Sequence, residues 1–86
     1  MEYRTKYCIV CGRPAEQHHI IHGTANRRLS EKYGLVVGLC PDHHRGPTGP
    51  HLCRETDLIL KRQAQTDFEQ THTREEFIKI FGRSYL

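Results

Sequence analysis

The sequence predicts a small α+β domain held together by zinc. Three observations predict it. Cys8-Ile9-Val10-Cys11 and Cys40-Pro41-Asp42-His43 form two ligand pairs at i and i+3 spacing. Two short apolar runs separate or follow these pairs, and the remainder of the chain, from residue 54 onward, carries helical periodicity. At 86 residues, with 36% hydrophobic residues and no Trp, the chain is one domain with a thin core. Chains of this size ordinarily need a metal, disulfides or a partner to stay folded.

The first pair ends in Cys11-Gly12, and glycine after the second thiolate suits the tight turn of a zinc knuckle. His19, Ile20 and Ile21 then read as a short strand, rich in β-branched residues. Residues 22 to 34, with Gly23, Asn26 and Gly34, read as a long connection holding one helical turn near Arg28 to Lys32. Leu35 to Leu39 is the second strand. Cys40-Pro41 follows as a strand runs into a helix with proline at its first position, and Asp42 adds negative charge to the first turn. Gly46-Pro47-Thr48-Gly49-Pro50 ends that short helix.

From Glu55 to about Glu69, Leu58, Ile59, Leu60, Ala64 and Phe68 follow a helical pattern. Thr73-Arg74-Glu75-Glu76 is a capping box opening a last helix with Phe77, Ile78, Ile80 and Phe81, which Gly82 closes. No run approaches the roughly 18 to 20 apolar residues of a membrane span, so a soluble protein without membrane partners is expected. The chain opens Met1-Glu2-Tyr3-Arg4 with no signal-peptide pattern. A reducing cytoplasm is expected, where such cysteines bind zinc rather than form disulfides.

Thiolate and imidazole donors satisfy structural zinc in a tetrahedron. Cys8, Cys11, Cys40 and His43 therefore make one Cys3His site, with Cys53 as the alternative to His43. That assignment leaves His18, His19, His22, His44, His51 and His72. His18 and His19 occupy opposite faces of a strand, so one can bind a metal while its neighbour acts on water. Formal charge is +3, with Arg27, Arg28 and Lys32 grouped and Arg45 beside His44, a balance compatible with contact to phosphate backbones.

A knuckle Cys-x-x-Cys, a His doublet opening a hairpin and Cys-x-x-His-His on the following helix resemble the HNH, or ββα-metal, endonucleases with a treble-clef zinc site. The short phage and prophage-type members, similar to phage recombination-promoting nucleases, are the nearest in pattern. The resemblance covers about residues 7 to 51, with 54 to 86 as a helical C-terminal extension of a single domain. It implies a metal-dependent DNA endonuclease acting in the cytoplasm of a bacterial host, with DNA as partner and a second copy or a phage recombination protein as further partners. It also implies His19 as the general base and His18, His44 and His51 as ligands of a catalytic divalent cation. That cation is Mg2+, Mn2+, Ni2+ or Zn2+, a histidine-rich set favouring the transition metals. Arg27, Arg28, Lys32 and Arg45 would contact DNA. The motif's central Asn is absent before Cys40, where the chain reads Gly34-Leu35-Val36, and Asn26 is the candidate substitute.

Other classes make different demands. A non-catalytic treble-clef module binding nucleic acid or protein needs the four zinc ligands but not His19. A second structural zinc site could draw on His22, His44, His51 and Cys53. A zinc deaminase is disfavoured because the His-x-Glu and Pro-Cys-x-x-Cys signatures are missing.

Overall fold

The computed structural model describes residues 6–23 and 25–86; residues 1–5, where the leader expectation falls, and Thr24 lie outside the described residues. Among the described residues the fold is a two-stranded sheet with four helices. In chain order these are β1 (Glu16–His19), α1 (Asn26–Lys32), β2 (Val36–Leu39), α2 (Pro41–Arg45), α3 (Arg54–Phe68) and α4 (Arg74–Phe81). No helix among them is long and apolar enough to cross a membrane.

β1 and β2 pair antiparallel, with Glu16 opposite Leu39, Gln17 opposite Gly38, His18 opposite Val37 and His19 opposite Val36. The first strand thus ends where the sequence places its start. Ile20 and Ile21 are buried all the same. Their β-branched character marks core burial rather than strand membership, although the Ile20 amide still donates to the Leu35 carbonyl at 3.1 Å. All four β2 residues are buried, as its unbroken apolar run requires.

α1 is longer than the single turn expected, and a buried side chain explains its anchoring. Ser30 Oγ donates to the Ile21 carbonyl at 2.6 Å, tying the helix to the segment after β1. α2 has proline in its first turn, and α4 starts at a complete capping box in which Glu76 N–H donates to Thr73 Oγ1 and Thr73 N–H donates to Glu76 Oε1. Gly82 closes α4 with φ of 90°, in the left-handed region.

The core joins the sheet to the C-terminal helices. Ile20, Ile21, Leu35, Val37 and Leu39 share one apolar cluster with Ala64 and Phe68 of α3 and Phe77 and Phe81 of α4. Phe68 and Phe77 meet edge to face at 5.3 Å between centroids, while Tyr33 packs edge-on to Phe68 at 5.6 Å. The extension therefore completes the core. Cys8 and Cys40 belong to the same cluster, so these candidate ligands are packed into it.

Candidate metal centres

The knuckle is a turn within a narrow backbone ladder. Cys8 N–H donates to the Arg13 carbonyl at 2.8 Å, Gly12 N–H to the Cys8 carbonyl at 2.8 Å, and Ala15 N–H to the Lys6 carbonyl at 3.0 Å. Gly12 turns the chain at φ 79°. Ile9 N–H then reaches the Gly38 carbonyl of β2 at 3.0 Å, which docks the turn beside the Cys40 end of that strand. Cys40 is the N-cap of α2, so His43 comes round about one helical turn later.

Cys8, Cys11, Cys40 and His43 consequently gather into one group able to hold a metal ion. Cys11 Sγ is 3.7 Å from Cys40 Sγ, and His43 Nδ1 is 3.6 Å from Cys8 Sγ and 3.2 Å from Cys40 Sγ. Tetrahedral zinc with Zn–S of about 2.3 Å and Zn–N of about 2.0 Å puts neighbouring donors roughly 3.5 to 3.8 Å apart, so of these pairs only His43–Cys40 must open by a few tenths of an ångström. The group fits zinc. All four cysteines are free thiols, and Cys53, just before α3, lies outside the group that His43 completes.

Burial pushes the Cys8 thiol up, but the backbone amides of Cys40, Cys11 and Val10, with His43, outweigh it and bring it down to about 6. Cys11 is lowered by the Arg13 side chain, whereas burial raises Cys40. Arg13 escapes a search for ligands alone, yet its Nε donates to Cys11 Sγ at 3.2 Å and its Nη2 to Cys40 Sγ at 3.4 Å and Asp42 Oδ2 at 3.3 Å. The guanidinium offsets the charge of a thiolate-rich site.

A second group consists of His18, His44 and His51. His44 follows the zinc-group ligand His43 on α2. The glycine loop brings His51 back to it. A Cβ at Gly49 would lie 2.7 Å from the His43 carbonyl oxygen and 2.6 Å from that of His44, so only glycine lets the loop pass this close. Gly49→Ala is expected to cost roughly 1 to 3 kcal/mol through overpacking against rigid backbone. Urea denaturation of the metal-loaded protein measures it, and an unchanged midpoint would contradict the close approach.

His44 Nε2 and His51 Nε2 are 2.9 Å apart. Two imidazole nitrogens each about 2.1 Å from one ion and at right angles are separated by about 3.0 Å. His18 is 2% exposed, and its Nε2 is buried without a hydrogen-bond partner. Its ring lies 5.1 Å from that of His44 and 5.3 Å from that of His51, centroid to centroid. Burial foremost, then repulsion from His44, His51 and His22, pushes His18 down to about 4, and His51 is lowered for similar reasons. Both imidazoles are thereby biased to the neutral form, the form that ligates metals. These donors also fit a cation.

Carboxylates orient the histidines. Glu16 Oε1 accepts from His44 Nδ1 at 2.9 Å, and Glu16 Oε2 accepts from Arg45 Nη2 at 2.7 Å, which leaves His44 Nε2 as the nitrogen available to a cation. Glu16 shares a strand face with His18, two residues on, and that period-2 spacing is the signal by which sequence could have found it. His22 Nε2 similarly meets Asp57 Oδ1 of α3 at 3.3 Å.

His19 lines the same cleft of about 270 Å³ as His18, His22, Arg27, His44 and His51. Its Nε2 is 2.8 Å from Glu31 Oε1 on α1. Asn26 instead donates to the His22 carbonyl at 3.3 Å, so the carboxylate of Glu31, not Asn26, touches the candidate base. Of the candidate DNA contacts, Arg27 lines the cleft, Arg45 is paired with Glu16, and Arg28 and Lys32 are exposed on α1.

No protein-family model matches the chain, and no significant match was found among curated proteins or solved structures.

Proposed function

We propose that this chain is a metal-dependent DNA endonuclease of the HNH type, with a treble-clef zinc site formed by Cys8, Cys11, Cys40 and His43. One observation carries the reading: the buried, unpartnered His18 Nε2 adjoins His44 and His51, and His19 opens onto the same cleft. A zinc knuckle alone does not call for a second histidine group with its own orienting carboxylate.

His18, His44 and His51 would hold the catalytic cation, and a cation there supplies Lewis-acid charge relief at the phosphoryl and leaving oxygens. His19 donates its Nε2–H to Glu31, which leaves Nδ1 as the basic nitrogen of the ring. His19 Nδ1 takes a proton from water as the water oxygen bonds to phosphorus. The bond from phosphorus to the 3′ oxygen breaks, and that oxygen takes a proton from solvent. Arg27, on the cleft wall, supplies positive charge toward the phosphate.

The test is incubation of zinc-loaded protein with supercoiled DNA and added Mg2+, Mn2+ or Ni2+. Nicking is expected with at least one cation, and loss of nicking is expected in a His44→Ala variant that retains zinc. Intact plasmid under every cation would overturn the nuclease reading.

A second reading, a non-catalytic zinc module binding nucleic acid or protein, draws on the 2.9 Å contact between His44 and His51. One ring can donate to the other there without any ion. DNA binding without nicking separates the two readings.

A further inference from the structure

The C-terminal tail lies along α3 and is fixed there by Gln65. That side chain is fully buried, and its Oε1 accepts from the Tyr85 amide at 2.7 Å while its Nε2 donates to Ser84 Oγ at 2.9 Å. Arg62 Nε donates to the Tyr85 carbonyl at 3.1 Å. Lys61 Nζ and Arg83 Cζ lie 5.2 Å and 5.0 Å from the centre of the Tyr85 ring. The tail and helix enclose a cleft of about 460 Å³ lined by Arg54, Lys61, Arg62, Arg83 and Leu86; Asp57, the one acidic side chain there, pairs with Lys61 Nζ at 2.8 Å, and the three arginines supply the remaining positive charge. The zinc fold needs no such concentration of positive charge.

The cleft and the histidine site are bridged by shared wall residues. Arg54 and Asp57 also line an adjoining depression of about 330 Å³, whose other walls include His22 and His51. His22 and His51 in turn line the histidine cleft. Three neighbouring depressions therefore run in series from His19 past His51 and Arg54 to Arg62 and Arg83.

We infer that the cleft between α3 and the tail is a second phosphate-binding station, holding the DNA backbone to one side of the phosphodiester in the histidine cleft. This inference rests on the nuclease reading for the identity of its ligand. Arg54 and Arg62 are eight residues apart on α3, which is about 12 Å of helix. At about 3.4 Å of rise per nucleotide, that length of helix runs alongside roughly three to four phosphates. Charge on a backbone path fixes position and affinity without reading bases.

The experiment is fluorescence-anisotropy titration of a labelled DNA duplex with zinc-loaded full-length protein and no added divalent cation, repeated over a range of salt. Arg62→Gln/Arg83→Gln is expected to lower the slope of log affinity against log salt by about 2 and to weaken binding about tenfold. Lys79→Gln on α4 should leave the slope unchanged, and Arg62→Lys/Arg83→Lys should restore it. Unchanged binding by the glutamine variant, or an equal change in Lys79→Gln, overturns the station. Failure of the nuclease reading is seen separately: wild type that binds with the predicted slope difference but never nicks keeps the station and loses the enzyme. Wild type that nicks while the glutamine variant binds normally does the reverse.

Discussion

Cys40→Ser is expected to abolish both stoichiometric zinc and the cooperative thermal transition. The substitution is nearly isosteric, so it opens no cavity and its effect isolates the ligand. The knuckle has little apolar anchorage of its own: Ile9 is 48% exposed and Val10 64%. What holds it to β2 and α2 is the backbone hydrogen bond from Ile9 to Gly38, the contacts of the exposed Arg13 side chain to Cys40 and Asp42, the burial of Cys8 and the convergence of four candidate ligands. Structural zinc binding contributes on the order of 10 kcal/mol in small metal-folded domains, comparable to the whole stability of a domain. Circular dichroism melting and metal analysis read the outcome, with wild type plus chelator as the matching state. A folded, zinc-free Cys40→Ser protein with the wild-type melting temperature would show that the four residues are not a structural metal site.

His19→Ala is expected to reduce nicking by roughly 10² to 10⁴, the range in which a positioned general base contributes. Zinc content and melting temperature should stay near wild type, because the His19 side chain is partly open to solvent and no part of the zinc group or the core. Glu31→Gln keeps a hydrogen-bonding oxygen but removes the charge that favours a protonated His19 in the transition state, so a smaller loss is expected. Initial nicking rates at saturating cation, with DNA binding measured in parallel, distinguish lost chemistry from lost affinity. Equal rates for wild type and His19→Ala would remove His19 from the mechanism.

Features legible in the sequence were those whose partners lie a turn or a few residues away. The Thr73–Glu76 box, proline at the head of α2, Gly82 after α4 and the two i, i+3 ligand pairs are encoded in adjacent residues, and each has its counterpart in the fold. β1 was misplaced because the propensity of Ile20 and Ile21 reports burial as readily as strand pairing. The orienting groups were largely hidden for another reason. Glu31 meets His19 across 12 residues, Glu16 meets His44 across 28 and Asp57 meets His22 across 35; only Glu16 carries a local hint, its period-2 spacing from His18, and that hint does not name His44 as its partner. The Asn expected of the motif led to Asn26, whereas the contact to His19 comes from a carboxylate on the opposite end of α1.

His43 and His44 are consecutive residues of a five-residue helix, one in each ligand group. Two ions bound as proposed above would be thermodynamically linked through this shared helix. An ion at the Cys3His position fixes the helix and so removes part of the ordering entropy that the His18, His44 and His51 group would otherwise have to overcome. Linkage is reciprocal, so occupancy of the histidine group must tighten the zinc site by the same factor. If both groups hold ions as proposed, loading is expected to be cooperative, and depletion of one ion should lower the affinity for the other.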